Sequence, residues 1–378
     1  MKKVKCLLAT TNKEINIEEK ILWLQICFSK GVGPLTFWKL LQKTNGSVKA
    51  AVRLVTPCPE KTAEDILIKH NQTGLQLIFA CEKDFPQGLK FTKDCPPVLS
   101  VTGSIALLQR RGVAIVGARN ASLVGKIFAN KMAGNLGKTG LTIISGFARG
   151  IDSAAHEGGL ATGTIAVLPG GIDVVYPPEN ADLYKAIIKN NGTILSEMMP
   201  GTNIDPALFP RRNRLIAGLA DGIILIEAAA RSGSLITAKN AVEQGKEIFV
   251  VPGHPSDPRS KGGNTLIKQG AALVDSSEDV LEMLNITRNR AIRPEKKQCL
   301  EEAVCDTLDN EEAESVKNAI LSELSVVPIS IEALFQYQNA CNFPDFLSIL
   351  GELELDGKIL RHANNEVSLP EGDSLPPF

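Results

Sequence analysis

Between about residues 110 and 284, short apolar runs alternate with longer amphipathic stretches. The apolar runs are nearly continuous in valine, isoleucine and leucine, which is typical of strands that are covered on both faces of a parallel sheet. The pattern predicts strands at 113–116, 141–144, 164–168, 193–195, 222–226 and 247–251. It predicts helices at 123–138, 153–161, 181–190, 211–220, 235–244 and 277–284. This alternation predicts an α/β fold with an extended Rossmann-like parallel sheet.

The two ends of the chain follow a different pattern. Residues 15–70 carry apolar positions at mixed helical spacing around the turn Gly31-Val32-Gly33-Pro34, which predicts a small SAM/helix-hairpin-helix-like domain. Such a turn either exposes backbone N–H groups to a phosphate or simply connects two helices. Near the other end, three short helical stretches precede a hairpin that Asp356-Gly357 opens, with Asn364-Asn365 at its tip. That order predicts a winged-helix-like domain.

These patterns divide the chain into four segments. We expect a helical N-terminal domain at 1–80, a Rossmann-like domain at 81–284, a charged linker at 285–313 and a winged-helix-like domain at 314–378.

Composition narrows the classes of function. The chain has 378 residues, 44% of them hydrophobic, and a formal net charge of −1, so a site for an anion requires locally concentrated positive charge. Its eight cysteines form no C-x-x-C pair, which favours reduced thiols over disulfides or a metal site. The apolar run near the N-terminus is too short for a signal peptide, and no stretch approaches about 20 apolar residues. We therefore expect a cytoplasmic protein with no membrane contact and no cofactor.

Most of the predicted strands end in glycine or a small polar residue. The loops of this kind are 117–122, 145–152, 169–171 and 227–234. Ligands of open α/β sheets bind outside the carboxyl ends of the strands, where helix starts present free N–H groups to anions. Six arginines fall in these loops or at a helix start: Arg119, Arg149, Arg211, Arg212, Arg214 and Arg231. Several guanidinium groups suit several phosphates, and Phe147, Tyr176 and Phe209 lie beside them for base stacking.

Catalytic motifs are weak by comparison. Lys138-Thr139 lacks the first glycine of a phosphate-binding loop, and Gly117 does not begin a G-x-G-x-x-G motif. Glu227 is the one nominee as an acid or base, for an alternative in which the sheet cleaves an N-glycosidic bond. A third hypothesis is a scaffold that binds a small nucleotide without turnover. We interpret His156 as structural or substrate-facing and Asp152 as a helix cap.

The same loops resemble the DNA-processing protein A family, DprA or Smf, over about residues 84–284. The shared motifs are Asp84-Phe-Pro86, Pro96-Pro-Val-Leu99, Val116-Gly-Ala-Arg-x-Ala-Ser122, Ser145-Gly-x-Ala-x-Gly-Ile-Asp152, Phe209-Pro-x-Arg-Asn-Arg214, Arg231-Ser-Gly-Ser-Leu-Ile-Thr-Ala238 and Gly263-Asn-x-Leu-Ile267. The resemblance implies a dimerising, non-enzymatic protein that binds single-stranded DNA without sequence specificity. It also implies that the protein protects this DNA and loads the RecA recombinase in natural transformation.

Together, the loops and the resemblance predict a set of DNA-binding residues. They are Gly117, Arg119, Ser122, Ser145, Gly146, Phe147, Arg149, Gly150, Phe209, Arg211, Arg212, Asn213, Arg214, Arg231 and Ser232. The last predicted helix carries Asp345, Glu352 and Glu354, whose charge repels phosphate. We therefore expect the winged-helix-like domain to have a protein contact or a structural role rather than to read duplex DNA.

Overall fold

The computed structural model describes residues 15–286, 310–338, 341–362 and 364–370. Most of the predicted charged linker at 285–313 lies outside these residues. The N-terminal helices are α1 Ile17–Cys27, α2 Pro34–Lys43, α3 Val48–Val52, α4 Glu60–Gln72 and α5 Gln87–Lys90. The helices that flank the large sheet are α6 Leu123–Lys138, α7 Ile151–Gly159, α8 Ala181–Lys189, α9 Leu208–Leu219, α10 Ser234–Glu243, α11 Lys261–Lys268 and α12 Ser277–Met283.

The strands of the large sheet are β1 Gln76–Phe79, β2 Val98–Gly103, β3 Gly112–Gly117, β4 Thr142–Ser145, β5 Thr164–Val167, β6 Thr193–Ser196, β7 Gly222–Ile226, β8 Glu247–Val250 and β9 Ala272–Leu273. Their order across the sheet is β1-β2-β6-β5-β4-β3-β7-β8-β9. From β5 to β9 this is the Rossmann order, with its switch point between β3 and β7. The six predicted strands are present, and the switch point determines where ligands are expected.

The sheet is mixed, which corrects the prediction of a parallel one. β2 pairs antiparallel with both β1 and β6, whereas β6, β5, β4, β3, β7, β8 and β9 are mutually parallel. Parallel neighbours need long crossover connections, usually helical. Strands β1 and β2 precede the region of βα alternation, so that pattern carried no information about them.

Helix α9 begins at Leu208, three residues before the predicted start at 211. Proline lacks an N–H group, but the first-turn amides of a helix have no intrahelical partner, so Pro210 is tolerated there. The longer helix places Phe209 and Arg211 on its first turn, beside the carboxyl ends of β4 and β5.

The N-terminal helices share a hydrophobic core with one face of the sheet. Trp23 and Phe37 belong to the same buried cluster as Phe79 of β1 and Val167 of β5. The ring centroids of Trp23 and Phe37 lie 4.9 Å apart. Phe37 lies on the first turn of the helix that follows Gly33, so this contact joins that helix to the shared core. The opposite face of the sheet is covered by α6, α7 and α12.

The C-terminal module, meaning the described residues from 310 to 370, has its own small sheet. It contains α13 Asn310–Glu323, β10 Ile329–Ser330, α14 Ile331–Gln338, α15 Phe343–Leu355, β11 Leu360–His362 and β12 Glu366–Ser368. The predicted hairpin is present as β11 and β12, and Asn364 and Asn365 at its tip have positive φ angles of 67° and 58°.

The C-terminal module packs against the start of α6. Leu123 is fully buried in the apolar cluster of the module. Lys126 donates to both carboxylate oxygens of Glu323, at 2.6 and 2.7 Å. Arg259 donates to the backbone oxygen of Leu324 at 2.8 Å. The module therefore contacts the sheet domain close to the switch point.

Candidate nucleic-acid interface

The loops after β3 and β4 are in contact, and a glycine permits this contact. Gly150 has a φ of +79°, and a Cβ atom there would lie 2.3 Å from the backbone oxygen of Ala118. The amide of Ile151 donates to that same oxygen at 3.2 Å. Any larger residue at 150 would separate the two loops, so the contact brings Arg119 and Arg149 to one place.

Arg119 and Arg149 line one pocket with Tyr176 and Phe209, and Phe147 and Glu179 are also among its lining residues. The pocket has a volume of about 190 Å³. The guanidinium carbon of Arg119 lies 4.9 Å from the ring centroid of Phe209, and the rings of Tyr176 and Phe209 are 6.0 Å apart at 68°. Tyr176 is 41% exposed. We call the site formed by Arg119, Arg149, Tyr176 and Phe209 the arginine–aromatic pocket; it combines two cations with two aromatic rings.

Three of the six predicted arginines are exposed on loops. Arg119, Arg149 and Arg231 are exposed, and none forms an ion pair within the described parts of the chain. Arg231 lies after β7, on the other side of β3 from Arg149. Ser232 beside it shares a hydrogen bond with Ser234 at 2.7 Å between the two Oγ atoms. Exposed guanidinium groups of this kind are free to bind phosphate oxygens.

Arg212, which the sequence predicts to bind DNA, is buried and bonded to the protein itself. Its Nη1 atom donates to the backbone oxygens of Gly146 and Val167, and its Nε atom donates to Asn213 Oδ1 at 3.1 Å. Burial lowers the pKa of Arg212 to about 10. A Cβ atom at Gly146 would lie 2.7 Å from the guanidinium carbon. Arg212 therefore fixes the ends of β4 and β5.

Asp152 holds the loop after β4. The prediction that it caps the helix is wrong. The N-cap of α7 is Gly150, and Asp152 lies in the first turn. Its Oδ2 atom accepts from the amides of Gly146 at 3.1 Å and Ala148 at 3.3 Å. Burial raises the pKa of Asp152, and the charge of Arg212 opposes that rise. This buried pair shapes the loop that carries Arg149.

Arg214 is likewise inside the protein. Its Nη2 atom donates to Glu197, its Nη1 atom donates to the backbone oxygen of Asp94 at 2.6 Å, and its Nε atom lies 3.2 Å from Asp94 Oδ2. The neighbouring Asn213 donates to the backbone oxygen of Gly233 at 3.3 Å. Each of these two predicted DNA-binding side chains joins α9 to another segment of the chain.

Ser122 and Glu227 are bonded to each other at the start of α6. Glu227 accepts the Ser122 amide at 2.8 Å and also the Ser122 hydroxyl, while Ser122 Oγ accepts the amide of Gly125 at 3.0 Å. The Glu227 carboxylate thus lies at the N-cap residue of α6, a helix start of the kind expected to present free N–H groups to an anion. Burial raises the pKa of Glu227, and the charge of Arg259 opposes it. Glu227 therefore holds Ser122, the N-cap residue of α6.

Three further residues are buried. Phe147, expected to stack on bases, is fully buried, with its ring centroid 6.0 Å from that of His156. Ser145 donates to the backbone oxygen of Ile115 at 2.6 Å. His156 donates from Nδ1 to Thr164 Oγ1 at 2.7 Å, since that hydroxyl itself donates to Ile143. Burial lowers the pKa of His156 to about 3, so it is neutral and structural.

Gly117 allows β3 to pair closely with β7. A Cβ atom there would lie 1.9 Å from the backbone oxygen of Ile226. Of the remaining predicted residues, Arg211 is exposed but lines a second pocket, with Glu197 and Gly33. Sequence reasoning missed this second pocket. Glu197 directly follows β6, as the predicted loops follow their strands, and this position was the available signal.

Within the described residues, no helix combines the length and apolar character that a bilayer crossing requires. The same parts of the chain contain no group of three or more His, Cys, Asp or Glu residues arranged to hold a metal ion.

Comparison with known proteins gives a consistent result. Residues 76–285 match the family model described as DNA recombination-mediator protein A. The chain is 39% identical over 249 residues to Protein Smf of Escherichia coli, which covers 65% of this chain and 66% of that protein. It is 40% identical over 222 residues to the DNA processing protein DprA of Bacillus subtilis, covering 58% of this chain and 74% of that one.

Two solved structures are also similar. The X-ray structure of DprA from Streptococcus pneumoniae has a TM-score of 0.60 and 32% identity, covering 71% of this chain and 98% of that one. A structure of DprA from Helicobacter pylori, described by its single-stranded DNA binding mode, has a TM-score of 0.51 and 31% identity. It covers 56% of this chain and 95% of that chain.

Proposed function

The chain belongs to the DNA recombination-mediator protein A family, and we propose that it binds single-stranded DNA at the arginine–aromatic pocket. The observation that carries the proposal is the exposed Arg119 at the switch point, 4.9 Å from the Phe209 ring and in one pocket with Arg149 and Tyr176. Two unpaired cations supply phosphate contacts, and the aromatic faces supply stacking that does not depend on sequence.

The mode of binding follows from these groups. Phosphate neutralisation releases counterions, so affinity is expected to fall steeply with salt. Arg231 lies in the loop after β7, at the same carboxyl edge of the sheet, and extends the positive charge along it. Because neither exposed arginine in the pocket has a fixed partner, we expect limited base preference there.

A fluorescence anisotropy titration tests the proposal with three probes: a labelled single-stranded oligonucleotide, the matching duplex and a mononucleotide. We expect the oligonucleotide to bind most tightly. Arg119→Ala should weaken that binding, while Lys189→Ala, an exposed cation at the end of α8, should leave it unchanged. Unchanged binding in Arg119→Ala would overturn the proposal. Equal affinity for the mononucleotide would favour the small-nucleotide hypothesis instead.

The protein is further proposed to act without catalysis, as a cytoplasmic homodimer that protects single-stranded DNA and loads the RecA recombinase in natural transformation. The family description as a recombination mediator supports this partner. The bonding of Glu227 to Ser122 supports the proposal that the protein acts without catalysis, because this carboxylate is the one nominee for an acid or base. Filament assembly by the recombinase on protected single strands, with and without the protein, tests the loading role.

The proposed domain bounds remain 1–80, 81–284, 285–313 and 314–378. The C-terminal module is proposed to be winged-helix-like, because it contains three helices and its short strand β10 pairs with the terminal hairpin in a three-stranded sheet. Its helix α15 carries Asp345, Glu352 and Glu354, so the module is proposed to have a structural or protein-binding role. The helical N-terminal segment is proposed to be SAM/helix-hairpin-helix-like.

A further inference from the structure

A second pocket lies between the N-terminal turn and the loop after β6. Its walls come from Val32, Gly33 and Phe37 on one side and from Met198 and Met199 on the other. Its volume is about 240 Å³, enough for one nucleobase. The lining is mainly apolar, with one carboxylate, Glu197, and one guanidinium group, Arg211, among its residues.

This pocket adjoins the arginine–aromatic pocket. Arg211 and Phe209 lie two residues apart on the first turn of α9, and each lines one of the two pockets. The loops after β5 and β6 are also bonded together, since the amide of Gly171 donates to the backbone oxygen of Thr202 at 2.9 Å. A strand held at Arg119 can therefore continue past Phe209 into the second pocket.

Glu197 has an unused acceptor in this pocket. Its Oε2 atom accepts from Arg214, whereas no donor among the described residues reaches its Oε1 atom. The side chain as a whole is only 9% exposed, so few waters can reach it, although Oε1 is not fully buried. An acceptor with few water contacts and no donor from the protein is available to a ligand donor.

The pair of charged groups selects among the bases. Guanine presents adjacent N1–H and N2–H donors on its Watson–Crick edge, which suit a carboxylate, and O6 and N7 acceptors, which suit arginine. Thymine offers one N–H group between two carbonyl oxygens, and those oxygens would face the carboxylate unfavourably. The apolar walls exclude water from either base.

We propose that this second pocket receives one guanine of the bound strand, with Glu197 accepting from N1–H and N2–H and Arg211 donating to O6 or N7. The inference rests on the proposed single-strand binding, and it adds one position of base preference to an otherwise sequence-tolerant site.

Anisotropy titrations on the full chain test it with a short thymidine oligonucleotide and the same oligonucleotide carrying one central guanine. We expect the guanine oligonucleotide to bind about tenfold more tightly. Inosine at that position, which lacks the N2 amino group, should give an intermediate affinity. Equal affinity of the guanine and thymidine oligonucleotides would overturn the inference.

Two variants locate the preference. Gly33→Leu should fill the pocket, because a Cβ atom at Gly33 meets no atom within 4 Å and the backbone there is extended, with φ −101°. It should abolish the guanine preference and leave thymidine binding intact, while the matched Gly33→Ala should retain the preference. Glu197→Gln should also lose it, with thermal unfolding measured to confirm the fold. A preference that survives in both Gly33→Leu and Glu197→Gln would place the guanine elsewhere.

The two proposals fail separately. If Arg119→Ala leaves thymidine binding unchanged, the arginine–aromatic pocket is not the site and the proposed function fails. If Arg119→Ala weakens thymidine binding but guanine brings no gain in the unmodified protein, only the guanine pocket is wrong.

Discussion

Two groups of arginines in this protein come from the same predicted site and have opposite environments. Arg119, Arg149 and Arg231 lie on loops, exposed, without ion pairs in the described parts of the chain. Arg212 and Arg214 lie on α9, buried, and bond to backbone oxygens or to Glu197 and Asp94. The comparison teaches that an arginine near a binding edge can serve the ligand or shape the loops that meet it. Packing decides between these roles.

Arg214→Ala gives the largest expected effect. The substitution leaves the nearly buried Glu197 carboxylate without its cation, so the free energy of unfolding should fall by about 3–5 kcal/mol. Urea denaturation measures it. Arg119→Ala serves as the control and should change stability by less than about 0.5 kcal/mol. Equal free energies of unfolding for the two variants would contradict the distinction between buried and exposed arginines.

The buried region should also respond to acid through His156, which lies beside the charge of Arg212. The unfolded histidine takes up a proton below pH 6.5, whereas the folded one does so only near pH 3, so its contribution to stability is present above 6.5 and is lost as pH falls. Between pH 6.5 and 5 the loss should be about 2 kcal/mol. Denaturation of His156→Gln at both pH values should show a correspondingly smaller loss, and parallel pH dependence would contradict the assignment.

Substitution of an exposed arginine should change the affinity for DNA and leave the free energy of unfolding nearly unchanged. Arg119→Ala should weaken oligonucleotide binding about tenfold and reduce the slope of log affinity against log salt by about 0.7, because one phosphate contact is lost. Arg119→Lys should retain the slope, since it keeps the charge, while losing the planar contact with Phe209. Anisotropy at several salt concentrations measures both; an unchanged slope in the alanine variant would exclude a phosphate contact.

Lys126 is intermediate in exposure between the buried and the exposed arginines. Loss of its ion pair should give the smallest change in stability. It pairs with Glu323 of the C-terminal module, with the two side chains 14% and 16% exposed. Glu323→Gln should lower stability by about 1 kcal/mol or less, because the pair is partly solvated and a hydrogen bond can persist. Thermal unfolding, with Glu354→Gln as an exposed control on α15, measures the difference. A loss as large as that of Arg214→Ala would place Lys126 in the buried group.

The sequence by itself determined the βα alternation, the six strands that surround the switch point and the loops that carry Arg119 and Arg149. These follow from local periodicity and from glycines, whose backbone freedom is needed where loops touch, as at Gly150. It also contained the motifs that identify the family.

Only the tertiary structure decided which side chains remain exposed. Arg214 meets Asp94 across 120 positions of the chain, and Ser122 meets Glu227 across 105. The antiparallel strands β1 and β2, the occupied N-terminus of α6 and the pocket at Glu197 likewise depend on segments far apart in sequence. Burial is a property of the surfaces that cover a residue, and local pattern does not specify which distant segment provides them.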